Sequence, residues 1–556
     1  MAKNINKTNT DVLLEKIPPL LGVALLITPL VLSFFNPELS AILIILLNVF
    51  FLYKSFSFAV LFAISLARIR REESVNWRKR LDSILDINSA LAQIEQSIEG
   101  AKKLSYKEYL ATNSNKKVSR FRFMLDKYET IRFLKIERNE LKRVQPTVSD
   151  WRDIQHVVIV PHVKEPESIL RATMQHLADQ TFPAKQISVV LAAEAADPNG
   201  VIVSEKLREE FKQIFCNIWV TNHVLQEGEA VGKSANMAWA GKEVTKQIDL
   251  LGWDKKRVTI TSCDADSKLP SEYFSYQTYL FSTTPDNEYL YFNGALVLYN
   301  NIWRLPFYAR VKNSMSTIYN VGRLVRTDKL VPFSTYTTTL WLIEEIGYWT
   351  PWVTPEDFHM FFKGLFKYPK KVRTIPMYIK IMSDAAEGES HWETIRNNYL
   401  QERRWQWGIS DDGWVLKNLF STKLSKLSPR MVYLSVHTVF DHIFGPVGSL
   451  MILVGGNIPA LISPEFGFTV FGANLPRVSS SIIQLTLFCF IPVIILDIFL
   501  KPSANHNIIS RIKHLLEWVT QPFVGFILSV LPGLEAHTRL IFGRYLEYYV
   551  TKKKGE

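Results

Sequence analysis

Two long apolar runs at the start of the chain limit its folds more than any other feature. Ile17 to Phe35 is apolar apart from Thr28 and Ser33. After Asn36-Pro37-Glu38, a second run from Leu39 to Ala67 carries one charge, Lys54. Each is long enough to cross a bilayer core, and neither has the polar stripe that a soluble core helix needs, so both are read as membrane helices. No small-residue cleavage site follows the first run, which therefore does not read as a removed signal peptide. The turn between the runs lacks Lys and Arg, whereas Arg68, Arg70, Arg71, Arg78, Lys79 and Arg80 follow the second. By the positive-inside rule the amino terminus and the segment after Ala67 face the cytosol.

At 556 residues the chain has room for a large soluble domain besides its membrane segments. The net charge of +12 suits work beside anionic lipid or on anionic substrates, with nucleic acid as the competing explanation. Cys216, Cys263 and Cys489 are far apart and form no CxxC, which excludes a disulfide framework and a zinc ribbon and fits a reducing compartment. From Arg68 to about Val148, Lys, Arg and Glu are interleaved with spaced leucines, a helical pattern. Without an aromatic stacking series it reads as a solvated linker near anionic lipid, with no nucleic-acid partner.

From Gln155 the pattern alternates. His156 to Val160 reads as a strand ended by Pro161, Glu167 to Ala178 as a helix, and Ile187 to Ala192 as a strand. Helix follows at Ser204 to Ile214, strand at Ile218 to Thr221, helix at Lys233 to Val244, and strand at Val258 to Thr261. Such alternation predicts an α/β domain, a mostly parallel sheet covered by helices, with ligands at the strands' carboxyl ends. Neither GxGxxG nor GxxxxGK[ST] occurs, so dinucleotide oxidoreductases and P-loop NTPases lose their usual support.

Candidate site residues cluster in this half. Asp264 and Asp266 follow the Val258 strand one residue apart; in an extended segment both would point the same way, toward one divalent cation such as Mg²⁺ or Mn²⁺, or they mark only a solvated turn. Lys233, after Gly232, opens a helix whose dipole favours anions such as phosphate; an ordinary capping turn is the alternative. Thr354-Pro355-Glu356-Asp357 opens an apolar helix, with threonine as N-cap and proline first in the helix, and a carboxylate there suits a general base. Asn397 to Leu416 contains QERRWQWG, where arginine offers a fork for phosphate and tryptophan a face for a sugar ring; an interfacial helix explains it equally.

In this order, Gly232 to Asn236 (GKSAN), Asp264-Ala265-Asp266 (DxD), Thr354-Pro355-Glu356-Asp357 (TED-like) and Gln401-Arg404-Trp405 (QxxRW) resemble the membrane-embedded family 2 inverting glycosyltransferases, which include cellulose, chitin and hyaluronan synthases. The resemblance spans about Gln155 to Gly408. It implies a GT-A domain flanked by transmembrane α-helices, with Asp264 and Asp266 holding Mg²⁺ or Mn²⁺ on the diphosphate of a UDP- or GDP-linked sugar. Asp357 would be the base. Lys233, Arg404 and Glu194 would contact the nucleotide sugar, and Gln401 and Trp405 the acceptor, a glycan or a lipid-linked sugar. Two departures stand out: Ala192-Ala193-Glu194 where the family usually has an acidic pair, and Glu402 where polymerising members more often carry Gln or Arg.

Met431 to Gly455 and Ser481 to Leu500 are further spanning candidates, with Lys501, Arg511 and Lys513 placing the loop after them inside. Trp518 to Leu531 is short, ends at Pro532-Gly533, and spans, re-enters or lies at the interface. Asp441, between His437 and His442, lies inside a span and lines a route for a glycan or bonds helix to helix. The tail from Tyr548 to Lys553 looks like the family's FxVTxK lid, adding Thr551 and Lys553 to the nucleotide-sugar contacts, or it is a basic segment resting on lipid.

The expected organisation is 1–67 membrane helices, 68–149 linker, 150–390 catalytic domain, 391–430 interfacial helices, 431–535 membrane region and 536–556 tail. The expected protein is integral to the membrane, the resemblance implying a prokaryotic plasma membrane, with the catalytic domain and both termini cytosolic and membrane lipids as partners. It extends a polysaccharide and moves it across, or adds one sugar to a lipid carrier. A transporter or an anchored binding protein without catalysis is the reading from a different class.

Overall fold

The computed structural model describes residues 8–112, 119–147, 150–498, 500–502 and 508–546. Helix α1 (Asn9–Phe35) starts at a capping box, in which the Thr8 side chain and Asp11 satisfy each other's backbone N–H groups. It ends at Asn36, whose side chain caps α2 (Pro37–Glu73) by accepting from Leu39 N at 3.0 Å. The apolar run inside α2 serves two surroundings. Its first half lies beside α1, while Phe62, Leu66 and Ile69 pack into a core shared with Val297, Tyr299 and Ile318 of the soluble domain. Gly322 permits this approach, since a Cβ there would come within 2.9 Å of Phe58.

After the paired linker helices α3 (Ile87–Lys103) and α4 (Arg120–Leu141), the chain enters a mixed α/β domain. Its strands are β1 (Gln155–His162), β2 (Ile187–Glu194), β3 (Ile218–His223), β4 (Val258–Ser262), β5 (Leu290–Val297), β6 (Tyr336–Thr339) and β7 (Arg373–Met382). They form one sheet in the order β3-β2-β1-β4-β6-β5-β7, with only β6 running against its neighbours. β1, β2 and β4 are buried on both faces, which is why they read as continuous apolar runs. The buried His156 of β1 is paired: it hydrogen-bonds Thr259 Oγ1 at 2.7 Å and Thr278 Oγ1 at 2.8 Å. β1 lies between β2 and β4, whose connections run to opposite sides, a switch point of the kind where α/β domains bind ligands.

The helices used below are α5 (Glu167–Ala178), α6 (Pro198–Phe211), α7 (Lys233–Leu251), α8 (Tyr273–Thr283), α9 (Phe307–Arg323), α10 (Glu356–Lys367) and α11 (His391–Gln406). Several boundaries differ from the sequence reading. Pro161 does not end β1: the ladder with β2 runs through Pro161, opposite Ala192, to His162, opposite Ala193. α6 starts at Pro198, ahead of Ser204, because Asp197 caps it. α7 runs on to Leu251, where Gly252 closes it at φ 67°. α10 begins at Glu356 with Pro355 in the capping position, so Thr354 is not its N-cap.

Beyond the domain follow α12 (Pro429–Val454), α13 (Val470–Ile498) and a composite helix α14 (Ile512–Ile541). Among the described residues four helices are long and apolar enough to cross a membrane: α1, α2, α13 and α14. Pro429–Ile452 with Gly455–Ile462, bent by 53°, makes a fifth if taken as one span. Pro532-Gly533 does not end α14: Pro532 sits in the first turn of its last segment, after a π-helical stretch, where a missing N–H costs little. Both ends of α14 are tied to the α/β domain. Glu517 accepts from Arg310 of α9 at 3.0 and 2.5 Å, and Glu535 accepts from Tyr399 and Arg403 of α11 at 2.8 and 2.6 Å. Asp441 of α12 pairs with Lys54 of α2 at 2.9 Å, so the helix-to-helix contact anticipated for it is present.

Candidate active site

The site grows out of one register. β6 runs antiparallel to β4 with Tyr336 opposite Ser262, which sets the two residues before β6 beside the two after β4. Ser334 thereby donates its hydroxyl to Asp264 Oδ2 at 2.5 Å, and Thr335 accepts from Asp264 N at 3.4 Å. The backbone N–H of Ser334 donates to Asp357 Oδ2 at 2.9 Å. One serine, held at φ 59°, so joins the two carboxylates singled out as metal ligand and base. Nothing in the VPFSTYTTT stretch marked it in advance except the turn before a β-branched run.

Lys233 completes the cluster. Gly232 precedes it at φ 142°, a conformation that favours glycine, and aims the first turn of α7 at the carboxylates. Lys233 Nζ donates to Asp264 Oδ1 at 2.7 Å and to Ser334 O at 3.2 Å, and lies 3.1 Å from Glu356 Oε1. All three of its N–H donors thus face protein oxygens. Burial opposes its charge, but Asp264 and Glu356 outweigh that and hold its pKa well above the usual lysine range. Glu356 is pushed upward by burial, against the pull of Lys233.

Asp266 is oriented separately. The chain does not stay extended past β4: Ser267 N bonds Asp264 O at 2.9 Å, closing a turn, so strand alternation is not what relates the two DxD carboxylates. Asp266 is buried and accepts from Asp384 N at 2.9 Å. The segment that supplies Asp384 leads into α11, where Asn397 and Asn398 donate to the carbonyls of Glu387 and Ala386 at 3.1 and 3.0 Å. Among the described residues no group of three or more His, Cys, Asp or Glu is placed to hold a metal. An ion bound through one or two carboxylates and completed by substrate phosphates needs no such group, and the oxygens of Asp264 and Asp266 are the hard donors that Mg²⁺ or Mn²⁺ takes.

On α11, Gln401 is buried, and its Oε1 has no hydrogen-bond partner among the described residues. Arg404 is half-buried and Trp405 exposed, with Lys312 Nζ 4.2 Å from the centre of the indole. Glu402, the departure in QERRW, has a partner that the sequence reading missed: the buried Lys312 of α9, at 3.3 Å. Burial lowers the Lys312 pKa, and Glu402 opposes that.

Glu194 ends β2 and accepts from His223 Nδ1 at 3.0 Å, while the other ring nitrogen of His223 faces Glu229 at 2.9 Å. Burial disfavours the imidazolium, yet the two carboxylates outweigh it and raise the pKa of His223. Neither His223 nor Glu229 stood out in the sequence. Asn236 of the GKSAN stretch donates to Ala192 O at 2.7 Å and ties α7 to the end of β2. Thr551 and Lys553 lie outside the described residues.

No family model matches this sequence, and no curated protein matches it. Among solved structures, a mannosyltransferase from Pyrobaculum calidifontis in complex with GDP-Man and Mn²⁺ is similar over 75% of this chain and 98% of its own, at 12% identity and a TM-score of 0.39. S. aureus TarS 1-349 in complex with UDP-GlcNAc is similar over 70% of this chain and 93% of its own, at 11% identity and a TM-score of 0.30.

Proposed function

We propose that this chain is a membrane-embedded inverting glycosyltransferase with a GT-A domain, transferring sugar from a nucleotide-diphosphate sugar to a growing glycan. The observation that carries the reading is the convergence of Asp264, Lys233 and Asp357 on Ser334 beyond the carboxyl end of β4, with Glu356 on Lys233. In this reading Asp357 accepts the proton of the acceptor hydroxyl as that oxygen attacks the anomeric carbon. The bond to the diphosphate breaks, and its electron pair leaves with the phosphate. Lys233 holds two carboxylates, Asp264 and Glu356, together before donor binding and exchanges one of its contacts for a phosphate oxygen when donor arrives. Arg404 supplies further positive charge to the leaving group. A divalent ion on Asp264 and Asp266 would neutralise charge on the diphosphate. The unpartnered Gln401 Oε1 is an acceptor for a sugar hydroxyl, and the exposed face of Trp405 a platform for the ring.

The ties of α14 to α9 and α11 at both ends favour a helix lying along the domain's membrane face, which leaves α12 and α13 as one outward and one returning crossing after the domain. An even number of crossings keeps both termini on the cytosolic side. Transfer of a single sugar to a lipid carrier is the second reading, favoured by the catalytic cluster's closeness to a loop that meets the membrane helices at Asp441. Incubating the purified protein with UDP- and GDP-linked sugars and sizing the product separates the two: a polymer supports extension and a single-sugar lipid the carrier. Turnover of no donor in Mg²⁺ or Mn²⁺ overturns the proposal.

A further inference from the structure

A groove of ~270 Å³ opens between α1, α2 and α12 in the apolar part of the molecule. Leu25, Leu46, Phe50, Phe440 and Phe444 line it, and among the described residues Thr28 alone is polar on its wall. Charged residues lie beside its Phe50 and Phe440 walls. Lys54 lies over the Phe50 ring at 5.5 Å, and Asp441 follows Phe440. Lys54 meets Asp441 Oδ1 at 2.9 Å, while Asp441 Oδ2 faces His437 at 3.1 Å and Lys329 at 3.7 Å. Lys329 in turn contacts His437 Nε2 at 2.5 Å. Beside them Arg326 and Asp328 neutralise each other at 2.7 Å, with the Tyr433 hydroxyl 3.1 Å from Arg326.

With Lys54 and Lys329 both charged, two ammonium groups face one carboxylate and leave an excess of one positive charge. The depth fits a headgroup. From Pro37 to Lys54 the helix climbs about 26 Å at 1.5 Å per residue, close to the ~30 Å thickness of a bilayer core. Below that level α2 is packed on the α/β domain instead of lipid. Lys54 therefore stands where the domain-side leaflet has its phosphates, and its ammonium can reach them as lysines near span ends do.

We infer that this groove binds one anionic membrane lipid, a chain against the phenylalanines and its phosphodiester between Lys54 and Lys329. A single negative charge cancels the excess, and no bare anion fits as well, because the apolar wall would stay empty. The site is shared between the membrane helices and the soluble domain. Lys329 belongs to the segment 324–335 between α9 and β6, the same segment that carries Ser334 and its bonds to Asp264 and Asp357. Lipid held there steadies the segment that builds the candidate active site.

The test uses the full chain in nanodiscs of phosphatidylcholine with a minor fraction of phosphatidylglycerol. Lipid retained after extraction into detergent is identified by native mass spectrometry. Retained lipid should be enriched in phosphatidylglycerol by about fivefold or more, the size expected of lysines at a membrane surface. Lys54→Gln and Lys329→Gln should each lower that enrichment, and Leu46→Trp, which fills the groove, should reduce retention of either lipid. Lys329→Gln changes only a loop, so it reads the charge even if Lys54→Gln fails to fold. Millimolar inorganic phosphate should displace nothing. Equal retention of the two lipids overturns the inference, as does enrichment that survives Lys329→Gln, retention that survives Leu46→Trp, or displacement by phosphate. The readout is lipid and not turnover, so it stands apart from the catalytic proposal.

Discussion

Ser334 occupies left-handed backbone space, which costs a residue with a side chain about 1–2 kcal/mol. That cost is maintained where its N–H, hydroxyl and carbonyl bind Asp357, Asp264 and Lys233 in turn. Ser334→Gly relieves the backbone and deletes the hydroxyl. Its melting temperature should hold or rise while turnover falls about tenfold or more, the weight of one hydrogen bond to a charged group. Ser334→Val should lose both stability and turnover, since a branched side chain tolerates positive φ poorly. Equal turnover of wild type and Ser334→Gly would remove Ser334 from the site. The acids and the lysine were legible as residue types at telling spacings. Ser334 was not, because only the pairing of Ser262 with Tyr336 brings a serine 70 positions away onto Asp264.

At the scale of elements, β1, β2 and β4 were readable because strands buried on both faces must be apolar throughout, and β3 by its place in the strand–helix alternation. β5 to β7 were not. β5 carries Asn293-Gly294 at its centre, β6 has four residues, and β7 contains Pro376, which a sheet tolerates only at an edge such as the one β7 forms. β1 carries a pH liability: burial lowers His156 from an ordinary 6.5 to about 3, and His162 to about 4 against the pull of Asp197. Both are neutral when folded, whereas the unfolded chain takes up protons below about 6.5. Stability is therefore full above that pH and is lost as pH falls toward 4, by on the order of a few kcal/mol. Thermal melting across pH 7 to 4 in detergent should show the decline, and His162→Gln should make it shallower. The contact of α9 with α11 gives a second test. Glu402→Gln leaves Lys312 buried without its charge partner and should cost about 3–5 kcal/mol. Adding Lys312→Met should recover most of it; equal melting temperatures for wild type and Glu402→Gln would show that the pair does not matter.

For the whole molecule, composition marked the helices long and apolar enough to cross a membrane, but it could not distinguish apolar surface meant for lipid from apolar surface meant for protein. The lower half of α2 rests on the α/β domain, and α14, apolar enough to cross a membrane, is tied to that domain at both ends. If α12 and α13 are one outward and one returning crossing, a cysteine replacing the exposed Phe468 between them should react with an impermeant maleimide from the side opposite the domain. One replacing Val519 of α14 should react from the domain's side. Labelling of both from the same side would refute that arrangement.

The central claim is that a cytosolic-side carboxylate drives sugar transfer from a nucleotide donor, and Asp357→Asn tests it most directly. The full-length variant in nanodiscs should bind the donor sugar as tightly as wild type, since Asp264, Asp266 and Arg404 are untouched. Its transfer at saturating donor should fall about 10²–10⁴-fold, the usual loss of a general base. Transfer at the wild-type rate, or loss of donor binding with transfer retained at saturation, would contradict the account.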